Sequence, residues 1–182
     1  MRNTDSNRGF TIVELLMVIV VIAILAGITI VAFNGIQARA KSAQLQSALD
    51  PYVKAIRLHE AEHGIFPNIP GYACLGKAAD YPATSQFPAG ACVADATTNA
   101  AVYSVSGTFN SAIAAYISNT PVLNTSTVTA YGGWLYRGAY VYIESGWFEI
   151  EIALPGSQSC PSNFCEYDLA GGVHWCEKDN YW

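Results

Sequence analysis

One nearly unbroken apolar segment near the amino terminus constrains this chain more than any other feature. Residues 10–33 contain 20 hydrophobic side chains in 24 positions, and no polar side chain occurs between Leu15 and Ala26. Because a helix rises about 1.5 Å per residue, this segment predicts a helix of roughly 36 Å, enough to cross a hydrocarbon core of about 30 Å. The rest of the chain has ordinary hydrophobicity. The sequence therefore predicts a transmembrane helix followed by a water-soluble domain.

Three interpretations of this segment compete. A secretory signal peptide would have a shorter apolar region, lying closer to the possible cleavage site Ala38-Arg39-Ala40. A plain uncleaved anchor does not account for Glu14, because a carboxylate inside an apolar run is costly and is functional by default. The third interpretation, which we favour, depends on the junction between Gly9 and Phe10.

The residues from Arg8 to Leu16 resemble the processing site of the type IV pilin family, in which a glycine precedes a phenylalanine and a glutamate follows four residues later. The resemblance implies that a prepilin peptidase cleaves between Gly9 and Phe10 and methylates the new amino group of Phe10. It also implies an assembly role for Glu14, whose carboxylate would meet the amine of Phe10 on a neighbouring subunit. Opposite charges attract strongly in the low-dielectric core of a filament.

An amphipathic pattern predicts that the helix continues to His63. Apolar residues recur at spacings of three and four from Leu45 to Ile56, Gly64 suits the position after a helix end, and Pro67 is a stop signal. The expected organisation is a cleaved leader at 1–9, an apolar transmembrane or filament-core helix half at 10–33, an amphipathic helix half at 34–63 and a globular head at 64–182.

The head has the pattern of an α+β domain. Alternation and turn signals predict strands at Tyr131–Tyr136, Ala139–Glu144 and Trp147–Leu154, and the spacing of apolar residues predicts a short helix at Phe109–Asn119. An antiparallel meander of three or four strands, with the long helix laid across its apolar face, would bury both apolar surfaces. The resemblance implies the same architecture, which is the pilin fold.

All five cysteines follow the apolar segment, which favours disulfides in an oxidising exterior. The disulfide candidates are Cys74, Cys92, Cys160, Cys165 and Cys176. Cys74 and Cys92 bracket one loop. A hairpin centred on residues 170–171 would place Cys165 opposite Cys176, but pairing of Cys160 with either of them is also open. One cysteine is left over, either free or bonded to a partner chain.

A zinc-hydrolase motif is the alternative from another function class. The segment His59-Glu60-Ala61-Glu62-His63 fits H-E-x-x-H, which places two histidines on one helix face with a glutamate as general base. The helix ends directly after His63, and His174 is the only other histidine. We therefore interpret the segment as the polar end of an amphipathic helix and predict no metal site.

Charge and motif content exclude other functions. Beyond Arg57 the chain has three basic and eleven acidic side chains, and this acidity argues against nucleic-acid binding. No nucleophile elbow, phosphate loop or dinucleotide fingerprint occurs, so we predict neither an enzyme nor a bound cofactor.

The sequence thus predicts a structural subunit of a type IV pilus. We expect a single-pass prepilin in the cytoplasmic membrane, with its amino terminus inside, which then polymerises into an extracellular helical filament of identical subunits. Its expected partners are the prepilin peptidase and the pilus assembly machinery. Motility, adhesion or DNA uptake would belong to the filament. A pseudopilin of a secretion system and a minor tip pilin with ligand binding are the alternatives within the same family.

Overall fold

The computed structural model describes residues 11–69, 71–123, 126–130, 132–156, 158–169 and 173–179. The chain is α+β, with a long first helix followed by antiparallel sheets. The helices are α1 (Ile12–His63) and α2 (Gly107–Ile113), with a short 3₁₀ helix at Ala78–Asp80. The strands are β1 (Tyr72–Cys74), β2 (Ala91–Asp95), β3 (Ala101–Ser104), β4 (Val128–Ala130), β5 (Trp134–Tyr136), β6 (Ala139–Glu144), β7 (Trp147–Pro155), β8 (Cys165–Leu169) and β9 (Val173–Asp179).

The strands form two sheets. One has five strands in the order β1-β6-β7-β9-β8, and the other has four in the order β3-β2-β5-β4. Every ladder between these strands is antiparallel. The β6–β7 hairpin turns at Ser145-Gly146, where a φ of 92° at Gly146 suits a residue without a Cβ. The predicted strands at Ala139–Glu144 and Trp147–Leu154 are therefore confirmed, the second extended by one residue.

The chain divides into two compact units after Gln37. Within the second unit, one face of α1 packs into the main core, as its spacing of three and four predicts. Leu49, Tyr52 and Ile56 are fully buried there and share the core with Ile150 and Ile152 of β7. Phe148, Ile150, Ile152 and Leu154 are buried, whereas Glu149 and Glu151 between them are only partly buried. The predicted alternation of β7 is confirmed.

Local signals mark the end of α1 and the start of α2. The amide of Gly64 donates to the Glu60 carbonyl at 2.7 Å, and its φ of 72° lies in the left-handed region that ends many helices at glycine. The second helix begins two residues earlier than predicted and ends at Ile113, not Asn119. The reason for the earlier start is the cap at Ser106, whose hydroxyl accepts from the Phe109 amide at 3.2 Å.

The prediction of a single meander is wrong. Strand β5 pairs with β2 and β4 in the second sheet, so the chain changes sheets between Tyr136 and Ala139. The residue at this crossing is Arg137, which is only 4% exposed. Gly138 follows it so closely against Tyr81 that a Cβ would lie 2.6 Å from the phenol oxygen. The pair Arg137-Gly138 has the composition of a surface turn, but burial and close packing make it a connection between sheets.

The sequence predicts that residues 10–33 cross a membrane. Across the described residues, we find no helix with the combined length and apolarity that a membrane span requires.

Candidate functional site

The first turn of α1 is organised by a reciprocal contact between Thr11 and Glu14. One carboxylate oxygen of Glu14 accepts from the Thr11 amide at 2.9 Å and from the Thr11 hydroxyl at 2.7 Å. The Thr11 hydroxyl in turn accepts from the Glu14 amide at 3.2 Å. This is a capping box, which satisfies amides that the first turn of a helix leaves unpaired. The pattern T-x-x-E in the sequence is the signal for this cap. The assembly role predicted for Glu14 does not depend on the cap.

The predicted cleavage residues Gly9 and Phe10 lie outside the described residues. The structure therefore places Glu14 but not the junction four residues before it. Because Glu14 and Thr11 are both exposed, the carboxylate that caps the helix is also accessible from outside it.

The first half of α1 exposes its large apolar side chains in every direction. Exposed fractions are 79% at Ile12, 60% at Leu15 and 63% at Ile28, and the intervening large residues are exposed to a similar degree. A helix that is apolar all round is normally covered by protein or lipid, and a surface of this extent marks an interaction site. This segment therefore needs a partner that the isolated chain does not provide.

The two disulfides join Cys74 to Cys92 and Cys160 to Cys176. The first closes the predicted loop, and closing a loop of 18 residues is worth about 3 kcal/mol in the chain-entropy model. The β8–β9 hairpin is confirmed, but the register with Cys165 opposite Cys176 is wrong by one residue. Cys165 is opposite Glu177, because the last pair of the ladder is Leu169 with Val173, which leaves three residues in the loop where the predicted hairpin has two.

The H-E-x-x-H segment forms the last turn of α1, where its histidines stack on each other. The ring centroids of His59 and His63 are 4.3 Å apart at 19°, and His59 is buried whereas His63 is exposed. The Nδ1 atoms lie 3.1 Å from backbone carbonyls, those of Ile65 and His59 respectively. Tyr116 donates its hydroxyl to Glu62 at 2.5 Å. Among the described residues, no group of three or more His, Cys, Asp or Glu side chains is placed to hold a metal ion.

Sequence reasoning missed a ladder of carboxylates on the face of β7 and β9. In the register, Glu149 is opposite Asp179 and Glu151 is opposite Glu177. Like charges directly opposite each other are unfavourable in a sheet. Burial, a hydrogen bond with Glu151 and the charges of Glu151, Glu177 and Asp179 raise the pKa of Glu149 to about 8. Tyr142, opposite Glu149 on β6, supplies no compensating positive charge.

Replacing Glu149 with glutamine is expected to stabilise the fold at alkaline pH. The folded-state pKa lies above the ordinary value of 4.5, so folding is opposed progressively as pH rises from 4.5 to about 8 and to a constant extent above it. The gain in the free energy of unfolding should be near zero at pH 4 and about 1 kcal/mol at pH 9, after allowance for solvent screening. Urea unfolding of both chains at several pH values measures it.

The control for this prediction is Glu144→Gln, which removes an exposed carboxylate at the end of β6. We expect its free energy of unfolding to follow that of the wild type at each pH. A Glu149→Gln gain that is as large at pH 4 as at pH 9 would contradict the assigned electrostatic cause.

Comparisons with known proteins find a family and a relative that each match part of this chain. The family described as the prokaryotic N-terminal methylation motif matches residues 5–30. The prepilin peptidase-dependent protein D of Escherichia coli (strain K12) is 40% identical over 60 residues, which are 33% of this chain and 41% of that relative. The match thus covers less than half of either protein. No solved structure matches the chain.

Proposed function

We propose, from the prepilin methylation motif that this chain carries, that it is the precursor of a structural subunit of a type IV pilin or pseudopilin filament. A prepilin peptidase would cleave between Gly9 and Phe10 and methylate Phe10. The segment from Phe10 onward would then pack against the same segment of other copies.

The observation that supports this proposal most strongly is the exposed apolar surface of the first half of α1. Large side chains from Ile12 to Ile28 lie at least half exposed, with Glu14 as the acidic group at the start of the helix. Burial of apolar surface favours association by about 25 cal/mol for each Å² removed from water. Identical helices from neighbouring copies would bury this surface in a filament. A carboxylate at its end would set the register through the amine of the adjacent chain.

The proposal includes two locations for the chain, and both derive from the motif. Before assembly, the amino-terminal segment would hold the precursor at the cytoplasmic membrane, where the peptidase acts. After assembly, the same segment would lie inside an extracellular filament and the head would form its surface. Assembly machinery in the membrane would supply the transfer from one environment to the other. The function is thus one of structure and association, without a catalytic step by this chain.

Mass spectrometry of the chain recovered from its native cells tests the proposal directly. The expected amino-terminal peptide begins at Phe10 and is heavier by one methyl group than the unmodified sequence. An intact Met1 would contradict processing altogether, and a terminus after Ala40 would support a secretory signal peptide instead. Deleting the peptidase should return the chain to its unprocessed length, which controls for cleavage by other proteases.

Replacing Glu14 with alanine is expected to give processed subunits that assemble poorly. The substitution removes the charge proposed to meet the neighbouring amine, so filament yield should fall by at least about tenfold, which corresponds to a loss of about 1.4 kcal/mol per contact. Sheared filaments and cell-associated subunits are compared by immunoblot, with processing scored on the same gel.

The matched control separates assembly from helix capping. Thr11→Ala removes the hydroxyl of the capping box but retains the Glu14 carboxylate. We expect this chain to keep most of its filament yield. Equal losses in the two variants would assign the effect to the helix cap, and a normal yield from Glu14→Ala would remove the assembly role.

A further inference from the structure

Aromatic side chains from both sheets line a cleft of about 380 Å³ in the head. The aromatic cleft is formed by Tyr72, Tyr103, Trp134, Tyr136, Tyr140 and Trp175. These residues lie on β1, β3, β5, β6 and β9, so two sheets and five strands are needed to form it. The head therefore presents a concave surface whose walls are mostly π systems.

The rings contact one another at several angles. Tyr72 stacks on Tyr103 with centroids 4.4 Å apart, and Tyr140 lies 5.0 Å from Tyr103 at a tilt of 52°. On the other side, the Tyr136 and Trp175 centroids are 4.7 Å apart, with the rings nearly perpendicular. Tyr72 remains 40% exposed at the rim. A curved wall of differently oriented rings suits a rounded group better than a flat one, since a flat ligand stacks on parallel platforms.

Two carboxylates give the aromatic cleft a negative potential. Glu151 and Glu177 line it, and no basic side chain is among the described residues that do. The Tyr140 hydroxyl donates to Glu151 at 2.6 Å. Burial and the neighbouring Glu151 raise the pKa of Tyr140, so its phenol stays neutral. Negative groups beside aromatic faces are attractive to a cation, because the face of each ring carries the negative part of its quadrupole.

The type of cation follows from which contacts the walls offer. A bare metal ion is not favoured, because the described residues include no cluster of side chains placed to ligate one. A primary ammonium binds mainly through its three N–H donors, whereas most of the side chains that line the cleft present aromatic carbon. A fully methylated ammonium has no N–H group to satisfy and is easily desolvated onto carbon walls.

One buried polar atom at the cleft has no partner. The indole N–H of Trp175 is inaccessible to solvent, and among the described residues it has no acceptor. Buried donors are nearly always paired, and an unmade hydrogen bond is costly. A hydroxyl or other acceptor attached to the ligand would satisfy it after a small rearrangement.

We propose that the aromatic cleft binds a quaternary ammonium group of trimethylammonium size, carried on a molecule that also presents a hydrogen-bond acceptor. The ring faces supply cation–π contacts, and Glu151 and Glu177 supply the opposing charge. This binding activity would belong to the head and is independent of whether the chain forms filaments.

Isothermal titration calorimetry on the full chain, in a neutral detergent, tests the proposal with choline as the probe. The control ligand is 3,3-dimethylbutan-1-ol, which has the same shape without the charge. We expect saturable choline binding, with the neutral ligand weaker by at least about tenfold. Equal affinities for choline and 3,3-dimethylbutan-1-ol would overturn the proposal, and so would the absence of saturable choline binding.

Variants locate the site within the head. Glu151→Gln and Trp134→Leu should each weaken choline binding by about fivefold or more. The matched controls are Glu144→Gln and Trp147→Leu, at residues that do not line the cleft, and both should bind choline as the wild type does. Circular dichroism checks that each variant is folded. Unchanged affinity in the two cleft variants would overturn the assigned location, even if choline binds elsewhere on the chain.

Discussion

Replacing Gly9 with valine is expected to leave the chain uncleaved before Phe10. The proposed peptidase cuts directly after this residue. A glycine fits a small protease pocket, and a branched side chain would be too large for it. The unprocessed chain would keep its leader, including the charges of Arg2, Asp5 and Arg8, and would have no free amine at Phe10 to meet a neighbouring Glu14. Processing and filament yield should therefore both fall below detection, by mass spectrometry and by electron microscopy of sheared material.

Gly27→Val is the matched control for that experiment. Gly27 lies in the same apolar segment, and apart from its chain neighbours and its own helix backbone no atom of the described residues is within 4 Å of where its Cβ would be. We expect this chain to be cleaved and methylated at Phe10 like the wild type. Normal cleavage of Gly9→Val would place the processing site elsewhere, and failure of both variants would assign the defect to the segment in general.

Replacing Arg137 with methionine is expected to lower the free energy of unfolding by about 3 to 5 kcal/mol. The guanidinium donates to the carbonyls of Ala91, Pro82 and Pro88 at 2.8, 2.7 and 3.2 Å. It also lies 4.3 Å from the centre of the Phe87 ring. Methionine would fill much of the volume but remove the guanidinium donors from all three carbonyls, of which Pro88 would still accept from the Ala91 amide at 3.3 Å. Urea unfolding of the full chain, followed by tryptophan fluorescence, measures the loss.

Two further substitutions make this result specific. Arg137→Lys keeps a charge but not the planar fork that reaches several carbonyls, so we expect an intermediate loss. Arg57→Met removes a cation that is 41% exposed and 3.8 Å from Glu60, and should cost at most about 1 kcal/mol. A loss at Arg137→Met no larger than that at Arg57→Met would show that the buried contacts do not hold the loop before β2.

Short-range patterns were sufficient for the long helix and for one hairpin. The end of α1 at His63 follows from Gly64, and β6–β7 follows from alternation around a turn containing Gly146. In each case the residues that decide the structure are neighbours in the chain. The spacing of apolar residues also identified Leu49, Tyr52 and Ile56 as the buried face of α1.

Patterns of the same kind failed where distant residues decide the outcome. The segment at Arg137 has the composition of a surface turn. In the fold, however, the Arg137 side chain is buried and donates to the carbonyls of Pro82 and Pro88. Likewise, the residue that lies opposite Cys176 in the β8–β9 hairpin changes with one additional residue in the loop. Side chains alternate between faces of a strand, so a shift of one residue changes which of them face each other.

The sequence by itself determined the amino-terminal helix of this protein and the proposal that follows from it. Residues 5–30 contain the methylation motif, an apolar helical segment and the first acidic residue of that helix. All three can be recognised from the sequence because they depend only on residues that are close together in the chain. Only the tertiary structure decided how the strands of the head are arranged in two sheets. The aromatic cleft combines residues as far apart as Tyr72 and Trp175, and no local pattern predicts that two sheets will bring them to one surface. Contacts of this kind depend on the register and packing of both sheets together.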